Sequence, residues 1–400
     1  MNSWKRNLYL MWFVQFGAGI SLSFIFSFVP LYLPHLGVTG TRQVGIWSGI
    51  LMGAAPLFAA LLGPFWGNLA DKHGRKIMVE RVLLSNIAVV IAMGFVTNVY
   101  QFLALRILQG ILGGFTSAAI ALVTSFTPRE KTGYALGIYQ TAQIVGSASG
   151  PMIGGFLADA FNYRFPFFFM SVVSLTSFLV VFFLVKEPPL RGNVKKSESF
   201  VRSLSAVTHI PGLMPMAFIN FLIQFGLMII APIVPLYIKS LSHEGAYVAT
   251  ITGIILALGG AAAALSSVIT GRIGDRVGHR RILLTLSMGT GIMFGLTALA
   301  SSIFTFGLAR TATGLFLGGL MPTSNALISQ FVTEEKRGVA FGVTTSMTLL
   351  GNVLGPLAGG WLSGVIGLAE TFLVTMGLFL ITALWVWTHN PQKMLKQSEG

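Results

Sequence analysis

Long apolar runs separated by short polar loops dominate this chain. A helix needs roughly 20 mainly apolar residues to cross the hydrocarbon core of a bilayer. Twelve stretches meet that length, at residues 8–34, 44–69, 77–97, 100–126, 134–158, 164–185, 213–239, 247–271, 280–301, 303–328, 338–363 and 370–389. A membrane β-barrel would show short alternating segments instead. The pattern therefore predicts an all-α integral membrane protein with twelve transmembrane helices.

The composition indicates that the lipid bilayer is the main solvent of this protein. Only 10% of the 400 residues are charged and 54% are hydrophobic, with a mean hydropathy of +0.78. That leaves too little polar surface to cover a soluble globule. The absence of cysteine from the sequence excludes disulfides and thiolate metal sites.

The distribution of basic residues predicts the orientation in the membrane. With the N-terminus inside, 21 of the 26 Lys and Arg residues lie in cytoplasmic segments, and three, Arg42, Arg164 and Lys239, lie outside. This bias predicts a cell (plasma or inner) membrane protein with both termini cytoplasmic. The net charge of +14 is then explained by topology and not by nucleic-acid binding. The apolar N-terminal stretch is too long for a signal peptide, which indicates a retained first span.

The two halves of the sequence are copies of each other at a shift of 204 or 205 residues. "VPLYL" at 29 recurs as "VPLYI" at 234, "EKTGYALG" at 130 as "EKRGVAFG" at 335, and Arg106 matches Arg310. We therefore expect two pseudo-symmetric six-helix bundles, at 1–186 and 213–400, joined by a cytoplasmic linker at 187–212. Duplicated membrane halves of this kind are typical of alternating-access transporters.

Three motifs carry a family resemblance. "GNLADKHGRK" at 67 has a second copy, "GRIGDRVGHR", at 271; "RILQGILGG" follows at 106 and "GSASGPMIGG" at 146. These residues resemble the major facilitator superfamily, and the pattern looks like its twelve-span drug:proton antiporter branch, the bacterial multidrug exporters. The resemblance implies a monomer without cofactor that exports lipophilic small molecules, driven by the proton gradient.

The resemblance also implies roles for particular residues. The gating motif would comprise Gly67, Asp71, Gly74, Arg75, Lys76, Gly271, Asp275 and Arg276. The embedded charge and coupling centre would comprise Arg106, Gln109 and Arg310. The antiporter-motif hinge would comprise Gly146, Gly150, Pro151, Gly154, Gly155, Gly355 and Pro356. No catalytic residue and no metal ligand is expected.

Each of these roles has a simpler alternative. Asp71 could sit in a solvated turn, Arg106 could snorkel to the membrane surface, and the glycine motif could be an ordinary packed, kinked helix. The polar and aromatic positions on the spans expected to line a substrate cavity also have two interpretations. Buried amides can be satisfied by hydrogen bonds between helices as well as by substrate. The cavity residues are Gln15, Phe24, Tyr139, Gln140, Gln143, Asn220, Gln224 and Asn325.

The sequence departs from the drug exporters in its acidic residues. All twelve Asp and Glu fall in predicted loops or at helix ends, so no embedded carboxylate identifies the proton site. A cavity with arginines and no acid should favour neutral, zwitterionic or anionic amphiphiles over permanent cations.

Other functional classes remain as alternatives at this stage. A lysolipid or organic-anion transporter, or a flippase of the same fold, is the main one. A receptor or channel would show a large extramembrane domain or a selectivity-filter loop. An enzyme would show a phosphate-binding loop, clustered metal ligands or an activated nucleophile. The sequence shows none of these marks.

Overall fold

The computed structural model describes residues 3–188, 213–243, 247–332 and 337–388, and this part of the chain is helical. The predicted linker lies, from residue 189 on, outside the described residues. The α-helices of the first half are α1 (Ser3–Ser23), α2 (Val29–Tyr32), α3 (Thr41–His73), α4 (Arg75–Gly94), α5 (Val99–Ile111), α6 (Phe115–Phe126), α7 (Thr132–Ala160) and α8 (Phe165–Leu184). Those of the second half are α9 (Leu213–Ile229), α10 (Val234–Leu241), α11 (Val248–Val277), α12 (His279–Ala298), α13 (Ile303–Leu317), α14 (Leu320–Phe331), α15 (Arg337–Val365) and α16 (Leu368–Thr388).

The predicted all-α membrane fold is confirmed. In the described residues, eleven helical stretches are long and apolar enough to cross a membrane. Helix α7, at the predicted fifth span, is not among them, although it runs unbroken for 29 residues. Its sequence carries Gln140, Gln143, two serines and a series of glycines, which lower its hydropathy.

Four of the predicted spans are not single helices. The first breaks after α1 into a 3₁₀ turn, Phe24–Ser27, followed by α2, and the seventh breaks between α9 and α10. Prolines at 30 and 235 follow these breaks, where they lack the amide hydrogen that a continuous helix would need. The fourth breaks between α5 and α6 and the tenth between α13 and α14, each at a pair of glycines, the poorest helix formers after proline. Each break recurs in the second copy of the repeat.

The described chain forms two compact units whose limits differ from a simple division into halves. One unit comprises residues 3–40, 54–188 and 247–257; the other comprises 41–53, 213–243, 258–332 and 337–388. The first turns of α3 thus belong with the second unit, and the first turns of α11 with the first. The six-helix bundles at 1–186 and 213–400 remain a prediction.

Equivalent helices pack in the same way in the two units. Helix α1 lies along α7 and α8, and α4 along α8; in the second unit α9 lies along α15, and α12 along α16. Aromatic side chains fill one end of the first unit, where the rings of Phe24, Phe28 and Phe167 lie 5.6–5.7 Å apart between centroids. In the second unit, Tyr237 packs against Phe306 and Phe372, with ring centroids 5.2 and 5.3 Å apart.

Glycines bring α15 and α9 into backbone contact. A Cβ at Gly355 would lie 2.8 Å from the carbonyl oxygen of Phe225, and a Cβ at Gly359 would overlap the carbonyl group of Ile229. Lipid tails are as apolar as leucine, so such close packing, and not the hydrophobic effect, holds helices together in a bilayer.

We expect Gly359→Ala to lower the thermal denaturation midpoint of the purified protein, because overpacking of this kind costs about 1–3 kcal/mol. The matched control is Gly342→Ala in the same helix, where a Cβ would meet nothing within 4 Å. Alanine is the better helix former, so that variant should be neutral or slightly more stable. Equal midpoints for both variants would contradict the packing argument.

Candidate functional site

A chain of hydrogen bonds surrounds Arg106 in the first unit. Arg106, with 8% of its surface exposed, donates from Nη1 to Oε1 of Gln109 at 2.5 Å. Gln109 donates from Nε2 to Oδ1 of Asn86 at 2.9 Å. Asn86 in turn donates to the hydroxyls of Ser174 at 3.0 Å and Ser21 at 3.4 Å. The embedded arginine is thus held inside the helix bundle and does not reach for the membrane surface.

Sequence analysis identified Arg106 and Gln109 in this network but missed Asn86 and Ser174. A polar residue in the middle of a predicted apolar span was the available signal for both. A cavity of about 20 Å³ lies beside Asn86 and Gln109, which is room for about one water molecule. The network can therefore hold one further hydrogen-bonding partner.

A second cation, Arg81, lies at the break between α5 and α6. Its guanidinium carbon is 3.4 Å from the ring centroid of Trp66, and its Nη2 donates to the carbonyl of Gly113 at 2.7 Å. The indole nitrogen of Trp66 donates to the carbonyl of Ile111 at 2.7 Å. The stacked pair thus satisfies two carbonyls that the break removes from the helical ladder. Neither Arg81 nor Trp66 is among the site residues predicted from the sequence, where Arg81 is one of the basic residues on the predicted cytoplasmic side.

Three of the predicted cavity residues contact one another. Gln15 is 2% exposed and Tyr139 is 1% exposed. The hydroxyl of Tyr139 donates to Gln15, and the amide of Gln15 donates to Gln143. Gln143 also donates to the hydroxyl of Ser147 at 2.9 Å. The three residues connect α1 to α7, so their polar groups are already bonded within the protein.

The remaining cavity candidates lie in different surroundings. Phe24 packs inside the aromatic cluster and is 2% exposed, whereas Gln140 is exposed. In the second unit, Asn220 donates to Asn325 at 3.2 Å, and Gln224 donates to Asn352 at 2.6 Å. Within the second unit, the structure thus brings the predicted cavity residues into hydrogen-bonded pairs.

In the first copy of the predicted gating motif, Gly74 separates α3 from α4. Its φ of +101° lies in a region that residues with a Cβ rarely adopt. The carboxylate of Glu187 accepts hydrogen bonds from the backbone amides of Arg75 and Lys76, both at 3.0 Å. An anion at a helix N-terminus interacts favourably with the helix dipole. Sequence analysis missed Glu187, whose only signal was an acid directly after the sixth span.

The side chains of this motif bind helix carbonyls. Lys76 donates from Nζ to the carbonyl of Phe182 at 2.9 Å, near the end of α8. Arg75 donates to the carbonyl of Ala121 at 3.2 Å. Asp71 lies in the last turn of α3, and its side chain is outside the described part; a Cβ at Gly67 would meet nothing within 4 Å.

The second copy repeats part of this arrangement. Arg280, which is 204 residues after Lys76, donates to the carbonyls of Val386 at 3.2 Å and Trp387 at 2.6 Å near the end of α16. Asp275 lies 3.3 Å from Nε2 of His279. Arg276 is exposed, and Gly271 is partly buried. The link from the start of one helix to the end of another is thus present in both repeats, at Lys76 and at Arg280.

The glycines of the antiporter motif form two contact faces on α7. A Cβ at Gly146, Gly150 or Gly154 would overlap backbone or side-chain atoms of Phe16–Phe24, in and after α1. A Cβ at Gly155 would instead overlap Ala249, at the start of α11. Pro151 lies inside the continuous helix, facing Gly253.

The equivalent glycines of α15 show the same two faces. Gly355 faces α9, while Pro356 faces Gly49 and Gly360 faces Gly45 in the first turns of α3. In each unit, the motif therefore packs on one face against a helix of its own repeat. On its second face it packs against the first turns of a helix from the other half of the sequence, which belong to the same compact unit.

Arg310 differs from Arg106 in its surroundings. Its guanidinium carbon lies 5.5 Å from the ring centroid of Phe294. Its Nε and Nη1 are buried, and the described residues offer them no hydrogen-bond partner. Within the described ranges, no three His, Cys, Asp or Glu side chains come together in a way that could hold a metal ion.

These features define a polytopic α-helical membrane protein built from two copies of one repeat, each with an arginine embedded in a broken helix. A family model described as the Major Facilitator Superfamily matches residues 11–251 and 216–400. The chain belongs to the major facilitator superfamily and is a multi-pass membrane protein.

Similar proteins are known in sequence and in structure. The Multidrug resistance protein MdtG of Salmonella typhimurium is 37% identical over 394 residues, covering 98% of this chain and 97% of the relative. The protein of the same name from Escherichia coli O6:K15:H31 is 36% identical over 396 residues, covering 99% and 97%. A bacterial homolog of the human lysosomal transporter Spinster matches with a TM-score of 0.81 at 16% identity, over 97% of this chain and 96% of that chain. This last likeness shows the fold alone.

We expect Glu187→Ala to expose the first turn of α4, because two backbone amides lose their acceptor, at a cost of about 1–2 kcal/mol. Hydrogen–deuterium exchange of peptides that cover residues 74–82 should become faster, while peptides from α12 should not change. Glu130→Gln, an exposed acid in the 3₁₀ turn Arg129–Lys131, is the control and should leave exchange in α4 unaltered. Unchanged protection of these amides in Glu187→Ala would show that the carboxylate does not cap the helix.

Proposed function

We propose that this protein exports lipophilic small molecules across the inner membrane by alternating access, as a multidrug efflux carrier. The observation that carries this proposal is the end-to-end similarity to relatives named multidrug resistance proteins, at 36–37% identity. A match over 97% of the relatives' length leaves no large domain of theirs without a counterpart in this chain.

The residues around Arg106 support a role for this region in transport. A cation inside a membrane helix costs about 2.5–3.5 kcal/mol on insertion scales, and here it is held by Gln109 in a network that reaches three further residues. We assign Arg106 and Gln109 to the coupling centre of the first repeat. The gating motifs around Gly74 and Gly278 are assigned to the cytoplasmic face, where both termini would lie.

The glycine motif of α7 and α15 is assigned a mechanical role. Close backbone contact on two faces makes these helices sensitive to small rotations, because packed interfaces rearrange between discrete states rather than deform continuously. We infer that Pro151 and Pro356 provide the points at which the helices bend during transport.

We expect cells that lack other exporters to accumulate less of several unrelated lipophilic drugs when they express this protein. Arg106→Ala should reduce export about tenfold or more, because a charge-assisted hydrogen bond is lost, without lowering the yield of folded protein. Asp71→Asn should slow export in the same assay. Arg129→Gln, an exposed arginine in the 3₁₀ turn Arg129–Lys131, is the control and should export normally. Accumulation that is the same with and without the wild-type protein would refute multidrug export.

We also expect export to depend on the proton gradient. In proteoliposomes, an imposed pH gradient should drive substrate accumulation, and a protonophore should abolish it. A sodium gradient of the same size, with no pH difference, serves as the control. Substrate movement that is unaffected when the pH gradient is imposed or collapsed would refute proton antiport while leaving the carrier function intact.

A further inference from the structure

The duplication provides a matched comparison of the two embedded arginines. Arg106 and Arg310 are 204 residues apart and occupy the same place in the two repeats. In the first repeat, Gln109 and Asn86 extend from the arginine as a continuous hydrogen-bonded chain, with distances of 2.5 and 2.9 Å. The protein itself thus supplies acceptors to the first arginine.

The same two positions in the second repeat hold shorter side chains. At the same shift of 204, Gln109 corresponds to Thr313 and Asn86 corresponds to Thr290. The hydroxyl of Thr313 donates to the carbonyl of Ala309 in its own helix, at 2.7 Å. The hydroxyl of Thr290 is buried, with no hydrogen-bond partner among the described residues. The second repeat therefore has the arginine without the two amide side chains that extend from it in the first repeat.

Arg310 consequently has donors that the protein does not use. Its Nε and Nη1 are both buried and have no acceptor in the part of the chain that the structure describes. The guanidinium lies 5.5 Å from the ring of Phe294, which is fully buried and stacks on Phe379 with ring centroids 5.5 Å apart. Thr290 precedes Phe294 by one helical turn, so both side chains lie on the same face of α12.

An unpaired guanidinium in a membrane helix is costly, and such groups normally face a partner or an aqueous cavity. In the part of the chain that the structure describes, every Asp and Glu lies outside the α-helices or near a helix end, so no carboxylate within a span is available to Arg310. The unsatisfied groups here are all hydrogen-bond donors or a hydroxyl that can donate, so an acceptor with negative charge is the complementary ligand. The planar fork of arginine matches the two oxygens of a carboxylate, phosphate or sulfonate.

We propose that Arg310, Thr290 and Phe294 form a binding subsite for the oxyanion of a lipophilic molecule. Arg310 donates to the oxyanion, Thr290 adds a hydroxyl, and the ring of Phe294 lies against the guanidinium. As a statement about transported molecules, this rests on the proposed export function. The same chemistry fits a free amphiphilic acid and an anionic lipid headgroup.

The test compares two probes that differ only in charge. Binding of 1-pyrenebutyrate and of its neutral methyl ester is measured by fluorescence titration of the full-length protein in phosphatidylcholine nanodiscs, after subtraction of protein-free nanodiscs. We expect Arg310→Gln to weaken binding of the acid about tenfold or more, since charged hydrogen bonds are lost. Binding of the ester should not change.

Two further variants make the result specific. Thr290→Val keeps the arginine and should weaken binding of the acid about threefold, as expected for one neutral hydrogen bond. Arg281→Gln removes an exposed arginine from α12, the helix of Thr290, and should bind both probes like the wild type. Arg310→Gln should also have an unchanged or higher thermal denaturation midpoint, because it removes a buried charge whose Nε and Nη1 have no acceptor among the described residues. A lower midpoint with equal loss of both probes would show that Arg310 is only structural and would overturn the proposal, as would unchanged binding of the acid.

The source of the anion is distinguished by lipid composition. Nanodiscs that contain phosphatidylglycerol should weaken binding of the acid if a lipid headgroup occupies the subsite, and should leave it unaltered if a free amphiphilic acid does. Failure of the export function is seen separately, in transport of the methyl ester. Selective binding of the acid without transport of either probe would overturn export and leave the subsite standing. Transport of the ester without charge-selective loss in Arg310→Gln would overturn the subsite alone.

Discussion

The hydrocarbon core of a bilayer contains no water, so each polar group placed there needs a partner within the protein. The break between α5 and α6 illustrates this constraint. Helix carbonyls that lose their amide partners there receive donors from Trp66 and Arg81, at 2.7 Å each. Lys76 and Arg280 supply donors to carbonyls near the ends of α8 and α16. Much of the polar structure of this protein is a set of such local solutions, and their positions determine which helices are connected.

Close helix packing is the second consequence of the same solvent. Association in lipid depends on van der Waals contact, because burial of apolar surface brings little gain there. The glycine motifs of α7 and α15 each allow such contact on two faces. One face packs against a helix of the same repeat, and the other packs against the start of α11, in the case of α7, or of α3, in the case of α15. Those helix starts belong to the compact unit that they touch and not to the half of the sequence that encodes them. A motif that looks like a simple hinge in the sequence thus also determines the limits of the units.

The two repeats share a scaffold but differ in how they satisfy their embedded cation. The helix breaks, the glycine faces and the link from Lys76 or Arg280 to a helix end recur after 204 or 205 residues. The side chains around the arginines do not, because an Asn and a Gln in one repeat are replaced by two threonines in the other. Duplication preserved the backbone geometry, while the polar contacts diverged. That divergence allows the second arginine to bind something other than the protein.

The sequence alone determined the helical membrane fold, the duplication and the membership of the superfamily, because these depend on period, length and recurrence along the chain. It also singled out Arg106 and Gln15 as polar groups in apolar helices. It did not predict the four helix breaks, the role of Glu187 at the start of α4 or the amide of Asn86 beside Gln109. The breaks lie at local prolines and glycine pairs, whereas the last two features depend on residues more than 20 and, for Glu187, more than 100 positions away. Local pattern cannot encode which distant partner a polar group meets, and only tertiary packing decides it.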